Sequence, residues 1–264
     1  MYGDHIIDWL GYADDLALFF MDEESLKQGL KLLDETFKRF HLAINVSKTK
    51  TMILNFNEGG DYPTTISSLA GANVDNVEVF RYLGCNICWN EFNTGDAEVN
   101  LRIDCAEIKF YELGKKFMNH NINLSTRVSL LNCLVRSRLT YGCQTWTLTT
   151  NQMDRINSTY TLMLRKMMRN GFRRKENQWG YVWTNEAILE ICKTEAVEKF
   201  VFHQQRKYLA HLIRCDDNSL IKRLLFNNDR NSRPGRTINW KSNIITKEEC
   251  SETVFYSRAV ERKY

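Results

Sequence analysis

The chain has 264 residues, of which 43% are hydrophobic, 12% aromatic and 26% charged. A chain of that length buries a core without disulfide staples, and no apolar run approaches the roughly 20 residues of a membrane span, so small stapled scaffolds and membrane-spanning proteins are excluded. The net charge of +4 hides an asymmetry: residues 1–100 carry 7 Lys+Arg against 16 Asp+Glu, a balance of −9, whereas residues 101–264 carry 29 against 16, a balance of +13. An acidic part suited to metal or catalytic chemistry is thus joined to a part suited to a polyanion.

In chain order, residues 5–10 and 16–20 are apolar-rich runs flanking Gly11, Tyr12, Ala13, Asp14 and Asp15, the pattern of a hairpin with turn-forming acids at its tip. Asp22 is placed to cap a helix whose stripe is Leu26, Leu30, Leu33, Phe37 and Phe40, at helical spacing, and that stripe is read as core packing. Residues 50–56 read as a strand, 59–63 as a turn or loop, and 77–88 as one or two further strands.

From Val99 the pattern becomes helical. Val99, Ile103, Ala106, Phe110, Leu113 and Phe117 form one stripe, and Val128, Leu131, Val135 and Leu139 another, started by Ser125. Residues 152–168 and 195–214 predict two more helices. Only Pro63 and Pro234 occur, so little interrupts helices. Residues 227–240 turn polar and Arg-rich, and the tail to Tyr264 lacks periodicity and is expected to be poorly ordered. No internal repeat is visible, and the change of pattern places a domain boundary near residue 95.

The eight cysteines follow an N-terminus with neither the basic nor the apolar region of a secretory signal, which predicts a reducing, intracellular setting, nucleus or cytoplasm, and no secretion. Cys85 and Cys88 have zinc-knuckle spacing without a second close pair, and the two residues between them alternate as in a strand, so they are read as structural. Cys192, His203, His211 and Cys215 contain one helical i, i+4 pair, but the gap after Cys192 argues against a zinc site. Residues 155–175 hold Arg155, Arg165, Lys166, Arg169, Arg173, Arg174 and Lys175 with no acid among them. This stretch is read as a candidate nucleic-acid surface making about three or four phosphate contacts, the alternative being an ordinary solvated face.

Asp14 and Asp15 are suited to divalent cations, because a tight turn projects short carboxylates into open space. Alone they also fit ordinary turn chemistry. What separates the two is the order of pieces: Tyr12-Ala13-Asp14-Asp15, then a helix of about five turns, then His41-Leu42-Ala43-Ile44-Asn45-Val46-Ser47-Lys48-Thr49-Lys50, then Phe80-Arg81-Tyr82-Leu83-Gly84. That order resembles the second half of the palm of reverse transcriptases from non-LTR (LINE-type) retrotransposons. Leu139-Thr140-Tyr141-Gly142-Cys143-Gln144-Thr145-Trp146 is similar to the family's thumb wording, and Thr184-Asn185-Glu186, residues 209–214 and Arg233-Pro234-Gly235-Arg236 through Trp240 are similar to its C-terminal region.

The resemblance implies an α+β fold: a partial palm of antiparallel strands with a packed helix over 1–94, an all-α thumb over 95–175, a basic helical region over 176–240 and a tail over 241–264. It implies Mg²⁺ held by Asp14 and Asp15 for nucleotidyl transfer, with Lys48 supplying a proton or positive charge to the pyrophosphate. Tyr12, Ala13, Phe80, Tyr82, Leu83 and Gly84 would shape the primer site, and the implied partners are an RNA template, a DNA primer and deoxynucleoside triphosphates, with no membrane. His41 departs from the family's glycine, and Met1 lies only eleven residues before Tyr12, so the segment bearing the family's first catalytic aspartate is not in front of the hairpin. The expectation is therefore a truncated RNA-directed DNA polymerase, inactive alone, against the alternative of a non-enzymatic nucleic-acid-binding remnant or domesticated module.

Overall fold

The structure is a computed structural model that describes residues 8–54, 62–69, 71–89, 95–168, 172–175, 178–181, 183–226, 240–248 and 250–261, with 172–175 and 178–181 described as backbone. The chain divides into two compact units, Met1–Phe92 with Arg223–Arg233, and Asn93–Lys222 with Pro234–Tyr264.

In the first unit, β1 (Trp9–Tyr12) and β2 (Asp15–Leu18) form an antiparallel hairpin with Tyr12 opposite Asp15 and Trp9 opposite Leu18. Helix α1 (Glu23–Arg39) starts where the Asp22 carboxylate accepts from the Ser25 amide at 2.8 Å, which satisfies one of the orphan donors of the first turn. Its inward face sets Leu26 and the buried Leu30 against Leu69 and Val74, with Ile44 and Val46 completing a small core, whereas Leu33 and Phe37 are half-buried and Phe40, expected in the core, caps the helix end and is exposed. A Cβ at Gly29 would lie 2.3 Å from the Phe20 ring, so the glycine lets that ring pack against the helix where it stands.

The sheet under α1 has the order β3-β5-β4, built from β3 (Lys50–Thr51), β4 (Thr65–Leu69) and β5 (Ala72–Asn76), with β3 parallel and β4 antiparallel to β5. An ion pair between Lys50 and Asp75 at 2.6 Å braces the parallel edge. The expected strand over 50–56 is only β3, and residues 55–61, including much of the expected turn, lie outside the described residues. β4 and β5 escaped the sequence reading because Thr65, Ser67, Ser68, Asn73, Asp75 and Asn76 dilute the apolar alternation to Leu69 and Val74. The expected strands over 77–88 are β6 (Val79–Tyr82) and β7 (Cys85–Cys88), a second antiparallel hairpin.

Helix α1 ends in a Schellman motif: the His41 amide donates to the Lys38 carbonyl at 3.1 Å and the Leu42 amide to the Phe37 carbonyl at 2.9 Å. His41 consequently sits at φ +56, in the left-handed region that disfavours side chains. This is the position where the resemblance has glycine, so the departure falls on a residue whose backbone demands one.

The second unit begins with α2 (Asp96–Glu112), which a break at Leu113 separates from the short α3 (Gly114–Phe117), so the single stripe read from Val99 to Phe117 spans two helices. The second stripe lies on α4 (Leu124–Leu131), a π-helical turn Asn132–Arg136 and α5 (Ser137–Leu139). Leu131, Val135 and Leu139 are spaced four and four, slower than an ideal 3.6-residue turn. The wider π turn keeps all three in the core.

After a 3₁₀ turn at Cys143–Thr145, α6 (Thr150–Met167) starts with a full capping box between Thr149 and Gln152. It runs parallel to α2: Arg155 bonds Asn100 and Lys166 bonds Tyr111, two ties set eleven residues apart on each helix, roughly 16 Å along the axes. At the core, Tyr160 donates to Asn132 Oδ1 at 2.6 Å and lies 3.0 Å from the Thr194 hydroxyl. Burial pushes the Cys143 thiol up to about 12.

Two expectations change here. The region expected to be all-helical contains an antiparallel hairpin, β8 (Phe172–Lys175) with β9 (Gln178–Tyr181). Phe172, Trp179 and Tyr181, aromatic residues of high β-propensity, favour strands where the basic run suggested a helix tail. After α7 (Asn185–Ile191), α8 (Val197–Arg214) and α9 (Leu220–Phe226), the tail expected to be poorly ordered forms α10 (Trp240–Lys247) and α11 (Glu252–Val260). Ile244, Phe255 and Ala259 are buried, Arg214 donates to the Ala259 carbonyl at 2.9 Å, and Arg206 pairs with Glu248 at 3.0 Å, so tertiary contacts order a segment of weak periodicity.

Replacing His41 by Gly should stabilise the chain by about 1 kcal/mol, read from the urea midpoint, because the left-handed backbone is retained while the Cβ clash is removed; an unchanged or lower midpoint would exclude strain at that residue. Iodoacetamide at about pH 8 should label exposed Cys133 in the native chain and Cys143 only after unfolding, since the Cys143 thiolate forms near the upper end of the scale. Native labelling of Cys143 would contradict its burial.

Candidate functional site

The acidic tip is a two-residue connection, Ala13-Asp14, closing the Tyr12 and Asp15 pair. Ala13 takes φ +52, so the turn stores strain of about 1 kcal/mol that a glycine would relieve. Directly opposite residues of an antiparallel pair share a face, which puts Tyr12 and Asp15 with Leu10 and Ala17 on one face and Trp9 and Gly11 with Leu16 and Leu18 on the other. Both faces expose apolar side chains, Trp9 at 63% and Tyr12 at 65% among them. Asp14 and Asp15 are themselves exposed.

Asp14 and Asp15 are hard oxygen donors of the type Mg²⁺ takes, yet an octahedral ion needs more than two such ligands. Among the described residues no group of three or more His, Cys, Asp or Glu comes together, so the pair fits as part of a ligand set rather than as a whole one.

Lys48 stands on a separate turn. The Asn45 side chain accepts from the Lys48 amide at 3.2 Å and from the Ser47 hydroxyl at 2.8 Å, and the Thr49 amide reaches the Asn45 carbonyl at 3.0 Å. This Asx turn explains why Asn precedes the lysine and leaves Lys48 exposed. On the second hairpin, Phe80 and Tyr82 share a face with Ile87 and Cys85, and the connection Leu83-Gly84 has φ +48 and +83, the two positive values of a type I′ turn. Gly84 suits its position and Leu83 is strained in its own, an outlier of the kind that clusters at functional sites. The structure therefore brings Tyr12, Ala13, Asp14 and Asp15 to one hairpin tip and Phe80, Tyr82, Leu83 and Gly84 to another.

The basic residues fare differently. Arg165 is only 5% exposed, its guanidinium donating to the Trp183 carbonyl and to Asn185 Oδ1, both at 2.7 Å. It is a structural tie, and the expectation that it meets nucleic acid is corrected by its burial. Arg155 pairs with Asp96 at 2.9 Å, and Lys166 donates to the Tyr111 hydroxyl at 2.6 Å with its ammonium 4.9 Å from that ring. Arg169 lies outside the described residues, and Arg173, Arg174 and Lys175 lie along β8. Of the three described side chains over 155–175, Arg165 is withdrawn from solvent, while Arg155 and Lys166 are bonded within the protein at its surface.

The cysteine and histidine set is also dispersed. Cys192 is buried, its Sγ 3.3 Å from Met168 Sδ, and burial pushes its thiol up. His203 contacts Arg206, while His211 and Cys215 meet at the end of α8 with Nε2 and Sγ 3.7 Å apart. The pairing of Arg102 with the exposed Tyr141 ring, thirty-nine positions apart, carried no local signal in the sequence.

Residues 4–87, which hold both hairpins, α1 and the Lys48 turn, match the family model of reverse transcriptase (RNA-dependent DNA polymerase). Over 163 residues the chain is 28% identical to a transposon-derived protein of Caenorhabditis elegans, a match covering 60% of this chain and 56% of that protein. The chain thus spans little more than half the length of that curated relative. No solved structure matches. The first third of the chain is reverse transcriptase-like, and among the described residues no helix is long and apolar enough to cross a membrane.

Replacing Arg165 by Gln should cost about 1–3 kcal/mol in urea unfolding by leaving the Trp183 carbonyl and Asn185 without their donor, whereas Lys166→Gln should stay within about 0.5 kcal/mol. Equal, small effects would return Arg165 to the surface.

Proposed function

We propose that this chain supplies the C-terminal portion of the palm, with the thumb and following helical region, of an RNA-directed DNA polymerase of the non-LTR retrotransposon type. The observation that carries this reading is hairpin β1–β2, with Tyr12 opposite Asp15, Ala13 in the left-handed region and Asp14 at the tip, followed by α1, the Lys48 turn and the Leu83-Gly84 hairpin within one matched segment. A two-stranded hairpin is marginal by itself, and apolar side chains on both its faces suit an inner pair of a larger layered sheet. The third carboxylate of the metal set would come from outside the described residues, so 8–261 would not synthesise DNA unaided.

In this reading Asp14 and Asp15 hold Mg²⁺, which when bound lowers the pKa of the primer hydroxyl and offsets the charge of the triphosphate. Tyr12 supports the primer end beside the carboxylates. Lys48, presented on its Asx turn, places positive charge where the pyrophosphate leaves. Phe80 and Tyr82 shape the surface under the primer strand, and the rigid Leu83-Gly84 turn limits its movement. The substrates are an RNA template, a DNA primer and deoxynucleoside triphosphates. The eight free cysteines support a reducing compartment, nucleus or cytoplasm.

The chain alone should extend an RNA-templated primer no better than its Asp14→Asn variant. Joined to the fingers and upstream palm of a related element, it should synthesise DNA, and Asp14→Asn should then lower the rate at least about a hundredfold, because a charge made for the transition state is lost. A restored enzyme that tolerates Asp14→Asn would overturn the metal assignment, and one that binds primer-template without extending it would favour the non-enzymatic module.

A further inference from the structure

The second unit carries a surface that the basic run at 155–175 did not anticipate. Along the helix that includes the π turn Asn132–Arg136, the inward residues are Leu131, Val135 and Leu139, while Leu134 and Arg138 face solvent and Tyr141 is exposed on the turn that follows α5. Leu134 is 39% exposed and Tyr141 49%, and Arg138 is exposed. Tyr141 does not belong to a frayed end: Leu139, Thr140, Cys143 and Trp146 around it are buried, and Gly142 at φ +75 turns the chain sharply behind it.

The ring is also held from within. The Arg102 guanidinium lies over Tyr141, 5.1 Å from the ring centroid, and Arg102 is itself buried and paired with the buried Glu98 at 2.7 Å. Burying an ion pair is costly, and this one fixes an aromatic ring that leaves half its surface to solvent. π-helical turns, which interrupt regular bonding, are frequent at functional sites.

We infer that Leu134, Arg138 and Tyr141 form a contact surface for single-stranded nucleic acid, with Tyr141 as a platform on which a base stacks and Arg138 as a phosphate contact. This rests on the nucleic-acid-handling reading above and names a part of the surface that carries it. Each base presents a π face, so an immobilised aromatic ring stacks bases without sequence preference, and an adjacent arginine tracks the backbone. Residues 101–264 carry a balance of +13, which complements a polyanion. Glu112, whose carboxyl Arg138 helps to hold low, is engaged first by Lys109 at 2.7 Å.

The test is fluorescence anisotropy of the full chain with a labelled single-stranded oligodeoxythymidine of about twelve nucleotides and with an abasic strand of the same length. Tyr141→Ala should weaken binding to the thymidine strand about tenfold, Tyr141→Trp should retain it, and the abasic strand should bind the parent chain and Tyr141→Ala alike. Arg138→Gln should reduce the slope of log affinity against log salt by about 0.7. Tyr141→Leu, checked by circular dichroism, keeps a side chain over Arg102 and should lose binding as Tyr141→Ala does, separating stacking from folding. Unchanged affinity in Tyr141→Ala, or an equal loss on the abasic strand, overturns the platform while leaving the polymerase reading in place. A parent chain that binds neither strand removes both.

Discussion

The buried guanidinium of Arg127 is the contact on which the larger unit closes. Its Nη1 donates to the Phe117 carbonyl and to the Met167 carbonyl, both at 2.9 Å, and its Nε donates to the Ile122 carbonyl at 3.1 Å. Phe117 and Met167 are the last residues of α3 and α6, where unpaired carbonyls and the negative ends of the helix dipoles gather. The positive charge is therefore balanced by backbone rather than by a carboxylate, and a single side chain joins two helix ends lying fifty residues apart in sequence. Its charge also reaches Cys192, where it works against the upward push of burial on that thiol.

From that closure follow the positions of the other cations. With the end of α6 anchored, α2 and α6 lie parallel, and Arg155 and Lys166 fall opposite Asn100 and Tyr111. Arg165, on the inward side, reaches the carbonyl of Trp183 and the first residue of α7. The second unit is basic, but much of that charge is spent holding helices together. Arg138 and the exposed Tyr141 ring are among the groups it presents to solvent.

The first unit works by a different balance. Its core holds few fully buried apolar residues, while Trp9, Leu10, Tyr12 and Leu16 on its acidic hairpin remain exposed. Among its described residues, Ala13, His41 and Leu83 have side chains forced into the left-handed region. Two of those sit at the tips of the hairpins that hold the candidate carboxylates and the candidate primer surface. Strain retained at such tips, where glycine would be easier, is consistent with turns shaped by what they must hold rather than by stability.

The two hairpin tips, the cap at Asp22, the existence of α1 and the buried lines of α2 through α5 were legible in the sequence, because turns, caps and helical faces are decided by residues within about four positions of one another, whereas the depth of the α1 stripe was not, Phe40 being exposed. The motif order that resembles a reverse transcriptase was legible for the same reason, each piece being a local pattern. Strands β4 and β5 were not, since polar residues hid their alternation, nor were α10 and α11, which are ordered by α8 rather than by their own periodicity. The roles of the cations were the least legible. A run of seven positive residues without an acid reads as a surface, yet the partners of Arg165 and Lys166 lie 18 and 55 positions away, and those of Arg127 up to 40. Whether a charge meets water, a carbonyl or a ring depends on which distant backbone packing brings beside it, and that only the tertiary structure decides.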